Sequence, residues 1–143
     1  MSRRRWLLQA FLASALVAGC GRDDPQASLE KAVQQLQDSL EARDAPAVLA
    51  MLDERFRAQG ELDAEWAQRT LRLVFLRYAQ IRIVAVGRRS LVDPQAPHLG
   101  RTEAQVLVAG AQGLVPERVT PYAVELEWRR QGSDWRLYDL RWQ

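Results

Sequence analysis

The sequence predicts an α+β domain in which N-terminal helices pack on a four-stranded antiparallel sheet. Three observations predict it. Apolar residues recur at helical spacing from Leu29 to Tyr78, they alternate at strand spacing from Ile81 to Trp142, and breaks rich in Pro, Gly and Asp separate the segments. Helices followed by strands in one chain is the pattern of segregated layers over a shared core. The 143 residues suit one domain, and 48% hydrophobic with 27% charged residues is a globular composition.

The elements follow in chain order. Met1-Ser-Arg-Arg-Arg5 is a basic head, and Trp6 to Ala18 is apolar except for Gln9 and Ser14. As a helix that stretch reaches roughly 20 Å, short of the roughly 30 Å hydrocarbon core of a bilayer. A basic head, a short apolar segment and a small-residue end make residues 1–19 a secretory signal peptide. It ends in Val17-Ala18-Gly19-Cys20, and Cys20 is the only cysteine. Ala13-Ser14-Ala15 also fits an ordinary cleavage site, but lies inside the apolar segment. The run 17–20 resembles the lipobox of bacterial lipoproteins, an aliphatic residue, two small residues and a Cys. The resemblance implies cleavage before Cys20 and acylation of its thiol. Two or three acyl chains hold a protein on a membrane where one does so only marginally.

Residues 20–27 form the acylated Cys and a short tether. Gly21 follows the cysteine where enterobacterial inner-membrane lipoproteins carry Asp. This favours a location facing the periplasm on the outer membrane over the inner one. Of the 20 basic side chains, three lie in residues 1–19, and none of the 18 acids does. The mature chain therefore carries a formal net charge of −1, and nucleic acid is excluded as a partner class. One cysteine permits no intrachain disulfide, and with one histidine it leaves no zinc cluster.

The domain is expected to span 28–143. Asp24-Pro25 starts a helix carrying Leu29, Ala32, Val33, Leu36 and Leu40 on one face. Asp44-Ala45-Pro46 ends it and caps a second helix grouping Val48, Leu49, Met51, Leu52 and Phe56. Asp63 caps a third, with Trp66, Thr70, Leu71, Val74, Phe75 and Tyr78 on one stripe. Leu73 and Leu76 widen that stripe, so this helix is expected to be the most buried. Strands are predicted over Ile81–Val86, Thr102–Ala109, Tyr122–Arg129 and Trp135–Trp142, with loops at Asp93–Gly100 and Gly110–Glu117 and a hairpin at Gln131–Asp134. In the last strand Trp135 and Leu137 share one face, whereas Tyr138, Leu140 and Trp142 share the other. A β-bulge near Leu137–Asp139 reconciles this switch.

This order of elements, with Glu-Leu-Glu-Trp at 125–128 and Gly-Ser-Asp-Trp-Arg-Leu at 132–137, resembles the nuclear transport factor 2-like superfamily. That cone-shaped, cystatin-like fold is also used by ketosteroid isomerases, scytalone dehydratase and SnoaL-like cyclases. The resemblance implies a curved sheet, a cavity between helices and sheet, and dimerisation through the sheet face. It also implies that a catalytic member places an Asp, or an Asp–His pair, in that cavity, where burial tunes its pKa.

The chemistry-bearing residues do not assemble such a pair. His98 falls in the Pro94–Gly100 loop, Asp139 points to solvent if the bulge precedes it, and Ser90 and Ser133 have no basic neighbour. No enzymatic activity, cofactor or metal is expected. Trp66, Phe75, Tyr78, Tyr122 and Trp128 line a cavity or, as the better reading, fill a plain core. Tyr138, Leu140 and Trp142, if turned outward together, form an interface. The expected function is a non-catalytic envelope lipoprotein that binds another envelope protein or a second copy of itself. The alternatives are a carrier or sensor of a small apolar ligand, or a cavity isomerase or dehydratase.

Overall fold

The computed structural model describes residues 24–111 and 118–143; the signal segment, Cys20 and most of the Gly110–Glu117 loop lie outside them. The elements run α1 (Pro25–Glu41), α2 (Ala45–Ala50), β1 (Leu52–Ala58), α3 (Ala64–Arg77), β2 (Gln80–Val92), β3 (Leu99–Ala111), β4 (Arg118–Gln131) and β5 (Asp134–Trp142). All three helices open on an aspartate. Asp24 accepts from Gln26 N, Asp44 from Ala47 N and Asp63 from Trp66 N, so each satisfies a backbone donor that its first turn leaves unpaired.

The sheet has five strands in the order β1-β5-β4-β3-β2. It is curved and mixed, which corrects the expected four-stranded antiparallel arrangement. The added strand is β1, parallel to β5 with Ala58 opposite Leu140. Its residues, Leu-Asp-Glu-Arg-Phe-Arg-Ala, are mostly good helix formers and read as the end of the second helix. Pairing with a strand some eighty residues away overrides that local preference. Only Phe56-Arg57-Ala58, with Phe56 and Ala58 buried and Arg57 exposed, carries a strand alternation.

Helix α1 supplies Leu29, Ala32, Val33 and Leu36 to the core, whereas α3 buries only Ala67. The expectation that α3 is the most buried helix is corrected, since Leu73 and Leu76 are 68% and 79% exposed. Both sit on the face of α3 turned away from the sheet. Helix α1 also seals the edge of β2. Gln26 donates to Ser90 O at 2.6 Å and accepts from Val92 N at 3.0 Å. Gln37 donates to Ile83 O at 2.9 Å, and Glu41 accepts from Ile83 N at 3.0 Å. Free strand edges invite pairing with other chains, and here side-chain amides and a carboxylate occupy this one.

Two bulges set which side chains face the helices. In β5, Glu127 pairs with Asp139 and Trp128 with Leu137, leaving Tyr138 as the extra residue. In β2, the register with β3 shifts between Val86 and Arg89. The core gathers Leu29, Phe56, Trp128, Trp135 and Leu137 where α1, β1 and the β4–β5 hairpin meet. At that end Gly100 lets β3 pass close beneath α1, because a Cβ there would lie 2.8 Å from Leu29 Cδ2.

Candidate functional site: an apolar cavity between helices and sheet

Even-numbered residues of β3 and β4 face the helices: Thr102, Ala104, Val106 and Val108, then Tyr122, Val124, Leu126 and Trp128. Several are small. Ala85, Ala104 and Ala67 leave room where larger side chains would have filled the space between α1, α3 and the sheet. The result is a cavity of about 430 Å³, within the size range of small-molecule sites. Its walls are almost wholly hydrocarbon. Among the described residues the polar side chains in the lining are Gln37, Thr70, Arg88, Thr102 and Tyr122, with no carboxylate or imidazole.

The bulge in β5 decides the far wall. The extra residue at Tyr138 turns Leu140 and Trp142 inward, opposite Leu126 and Val124, and both line the cavity. Trp142 then stacks on Trp66 of α3. One end is closed by a hydrogen-bonded group: Trp128 Nε1 donates to Thr102 Oγ1 at 3.1 Å, and Thr102 shares a 2.8 Å hydroxyl–hydroxyl bond with Ser90. Trp128 is 1% exposed and belongs to the solid core beside the cavity.

The structure therefore divides the residues singled out by pattern. Of the aromatic stripe, Trp66 and Tyr122 line the cavity, and Trp128 is core. Phe75 and Tyr78 are half-buried outside it, and the Tyr78 ring covers Gly110, where a Cβ would lie 2.8 Å from Tyr78 Cδ1. The outward grouping of Tyr138, Leu140 and Trp142 does not form. Only Tyr138 stays on the outer face, where the Arg129 guanidinium lies 3.6 Å from its ring centroid.

Asp139 also faces away from the cavity. Its carboxylate accepts from Arg141 Nε at 3.0 Å and its side chain is 14% exposed. That bond and the Asp139 charge raise the Arg141 pKa, and Glu127 and Glu125 add to the effect. His98 is exposed in the 93–98 turn, and Ser133 is exposed in the β4–β5 hairpin. The sequence set Thr70 on the Trp66 stripe of the third helix but singled out neither Arg88 nor Gln37. The signal for Arg88 was Gly87, directly after the predicted strand Ile81–Val86, where a glycine bulge lets the strand continue.

No protein-family model matches the chain, and no curated protein does. Solved structures do. Bd1075 of Bdellovibrio bacteriovorus superposes with a TM-score of 0.70 at 12% identity over 82% of this chain, which spans 40% of that longer one. An NTF2-like protein of unknown function from Pseudomonas putida KT2440 gives 0.68 at 10% identity, covering 82% of this chain and 84% of its own. A putative dehydratase of the NTF2-like family from Streptomyces avermitilis gives 0.69 at 9% identity, covering 85% and 96%.

These neighbours correct one expectation. The chain was expected not to be an enzyme because no histidine dyad could be placed on a strand, Asp139 was read as facing solvent, and Ser90 and Ser133 had no basic neighbour. The same fold carries the Streptomyces protein, a putative scytalone dehydratase, a hexachlorocyclohexane dehydrochlorinase and a putative aromatic ring hydroxylase. The fold houses enzymes, and a missing strand histidine does not exclude this chain from their number. At these identities the likeness establishes the architecture alone: residues 24–111 and 118–143 adopt the nuclear transport factor 2-like, cystatin-like α+β fold.

Proposed function

We propose that this chain captures a small apolar molecule in the cavity beneath α1 and α3, and does so at a bacterial envelope membrane. The single observation that carries the reading is the cavity, about 430 Å³ of space walled by aliphatic and aromatic side chains. Unfilled apolar space is costly to a fold, because its lining forgoes the dispersion contacts that a packed core makes. A cavity of this size in a small domain is a feature with a use. Ala85, Ala104 and Val106 maintain it, since larger side chains at these sites would close it. The envelope location rests on the lipobox-like run Val17-Ala18-Gly19-Cys20, with the acyl chains of Cys20 as the anchor. A membrane-held site of this kind meets ligands that partition into or leave the bilayer.

The test is binding of a neutral apolar fluorophore, N-phenyl-1-naphthylamine, to the purified chain. Saturable enhancement with one site per chain is expected. Val106→Phe should fill the cavity and abolish that enhancement while unfolding in urea as cooperatively as the wild type. Absence of saturable binding, or binding undiminished in a folded Val106→Phe variant, overturns the reading.

A further inference from the structure

In β2, Val86 pairs with Gln105 and Arg89 with Glu103, so Gly87 and Arg88 together stand opposite Ala104. Gly87 has φ +65°, a left-handed conformation that glycine adopts without steric cost. Two residues against one, led by a left-handed glycine, is a β-bulge that re-aims the side chain after it. That side chain is Arg88, which joins the cavity lining although its flanks on β2 are an edge strand. Its Nη1 donates to Gln37 Oε1 at 3.3 Å. Gln37 is itself fixed, because its Nε2 donates to Ile83 O.

The charge of Arg88 is left over. Glu103 on the outer face answers both Arg89 and Arg101, and Glu125 adds to Arg101. Arg88 has no carboxylate partner among the described residues; its one recorded contact is the neutral amide of Gln37. Among the described residues the cavity thus has a hydrocarbon interior and a single formal charge, a cation exposed to solvent at its mouth. A guanidinium offers a planar fork of donors that matches a carboxylate, and such charge-assisted pairs are the stronger hydrogen bonds. A wholly apolar ligand in the cavity leaves the exposed charge of Arg88 answered by water alone. A ligand ending in a carboxylate replaces that water with a paired charge.

We infer that the cavity takes an anionic amphiphile, with its apolar body between α3 and the sheet and its carboxylate on Arg88 at the bulge. This rests on the cavity-binding reading above and specifies its ligand class. Arg88 is the specificity-determining contact, and Gln37 positions it. Gly87 serves the same end, since the bulge it permits is what presents the cation.

The experiment compares decanoate with decanol, which share an apolar chain and differ in the charge of the head. Binding is followed by the fluorescence of the full-length chain, whose Trp66 and Trp142 line the cavity. Decanoate should bind about tenfold more tightly than decanol, the factor that one charge-assisted hydrogen bond supplies. Arg88→Gln should remove that advantage by weakening decanoate alone, and Arg88→Lys should retain part of it. Should Arg88→Gln fail to fold, the wild type decides by salt: the decanoate advantage must shrink as ionic strength rises, because the pair sits at an exposed mouth. Equal binding of the two ligands, an advantage that survives in folded Arg88→Gln, or an advantage indifferent to salt overturns the anion assignment while leaving the cavity intact. Failure of both ligands to bind the wild type overturns the cavity reading and this inference with it.

Discussion

Trp66 of α3 and Trp142 of β5 stack with ring centroids 5.9 Å apart and planes 14° from parallel. This contact ties a helix to the last strand across one wall of the cavity. It exists because Tyr138 is the extra residue in β5: without that bulge Trp142 would face outward and Trp66 would have no ring to rest on. Offset stacking contributes about 0.5–1.5 kcal/mol beyond the area that the rings bury.

A double-mutant cycle measures the pair. Trp66→Ala and Trp142→Ala should each destabilise the domain by about 2–3 kcal/mol, less than a fully buried tryptophan because both rings are half-exposed. The double variant should cost less than the sum, with a coupling of about 1 kcal/mol by urea unfolding. A coupling within error of zero places the two rings apart in solution.

Thr102 is buried at 1% exposure and is the acceptor for the indole N–H of Trp128. Thr102→Val keeps the shape and removes the acceptor, leaving a buried donor unpaired at a cost of about 1–3 kcal/mol. Thr102→Ser keeps the oxygen and should recover most of that loss apart from one methyl group. If Val and Ser variants unfold at the same urea concentration, the hydrogen bond carries no stability.

The parts of the fold that were legible in the sequence share a physical cause: their signals are local. Asp24, Asp44 and Asp63 announce helix starts through chemistry confined to one turn. The β5 bulge shows as a parity switch within eight residues, from Trp135 and Leu137 to Leu140 and Trp142. What was not legible depends on distant partners. β1 pairs with β5, and Leu73 and Leu76 extend an apolar stripe on α3 that no described residue covers. Pattern alone turned Trp66 and Tyr122 inward, by their periodicity, but favoured a plain core there over a cavity. It left open which face Leu140 and Trp142 take, since a bulge fixes where parity changes but not which side the sheet turns to the helices. Arg88 was hidden because the predicted strand stopped at Val86, short of the bulge that carries β2 on to Val92.

Asp63 carries a pH signature. The hydrogen bond from Trp66 N holds its carboxyl below the ordinary value of 3.8; burial opposes this, and Arg57, the Glu65 N–H and Arg69 lower it further. A folded-state pKa below the unfolded one means that the contribution is complete above the unfolded value and disappears as pH falls through the folded one. Wild-type stability should therefore drop on acidification below about pH 4. Asp63→Asn, which accepts the same bond without titrating, should show a shallower drop from about pH 5 to about pH 3. Identical pH profiles for the two proteins remove the cap from the acid response.

The lipid anchor has a direct test in Cys20→Ser. The variant should accumulate as an unprocessed precursor and fail to incorporate labelled palmitate analogues in a bacterial host. Incorporation of label at wild-type level, with the same membrane fractionation and the same mass, removes the anchor and with it the envelope-membrane half of the proposed function.

The two faces of β5 separate in a single pair of variants. Leu140 packs against the core and faces Leu126 of β4, so Leu140→Ser loses buried hydrocarbon and places a hydroxyl beside an apolar cavity. The expected cost is about 2–4 kcal/mol. Tyr138 sits on the outer face at the bulge, where its main contact is the Arg129 guanidinium 3.6 Å from the ring centroid. A cation–π contact at such a site is worth about 0.5–1 kcal/mol, so Tyr138→Ser should cost no more than that. Urea midpoints of the two single variants decide the matter, because one residue of register is all that separates the outcomes. Without the bulge, strict alternation from Leu137 would turn Leu140 to solvent, and both substitutions would be cheap. Equal and small losses at both positions would mean that neither side chain is buried and that the last strand is not held against the helices by its apolar face.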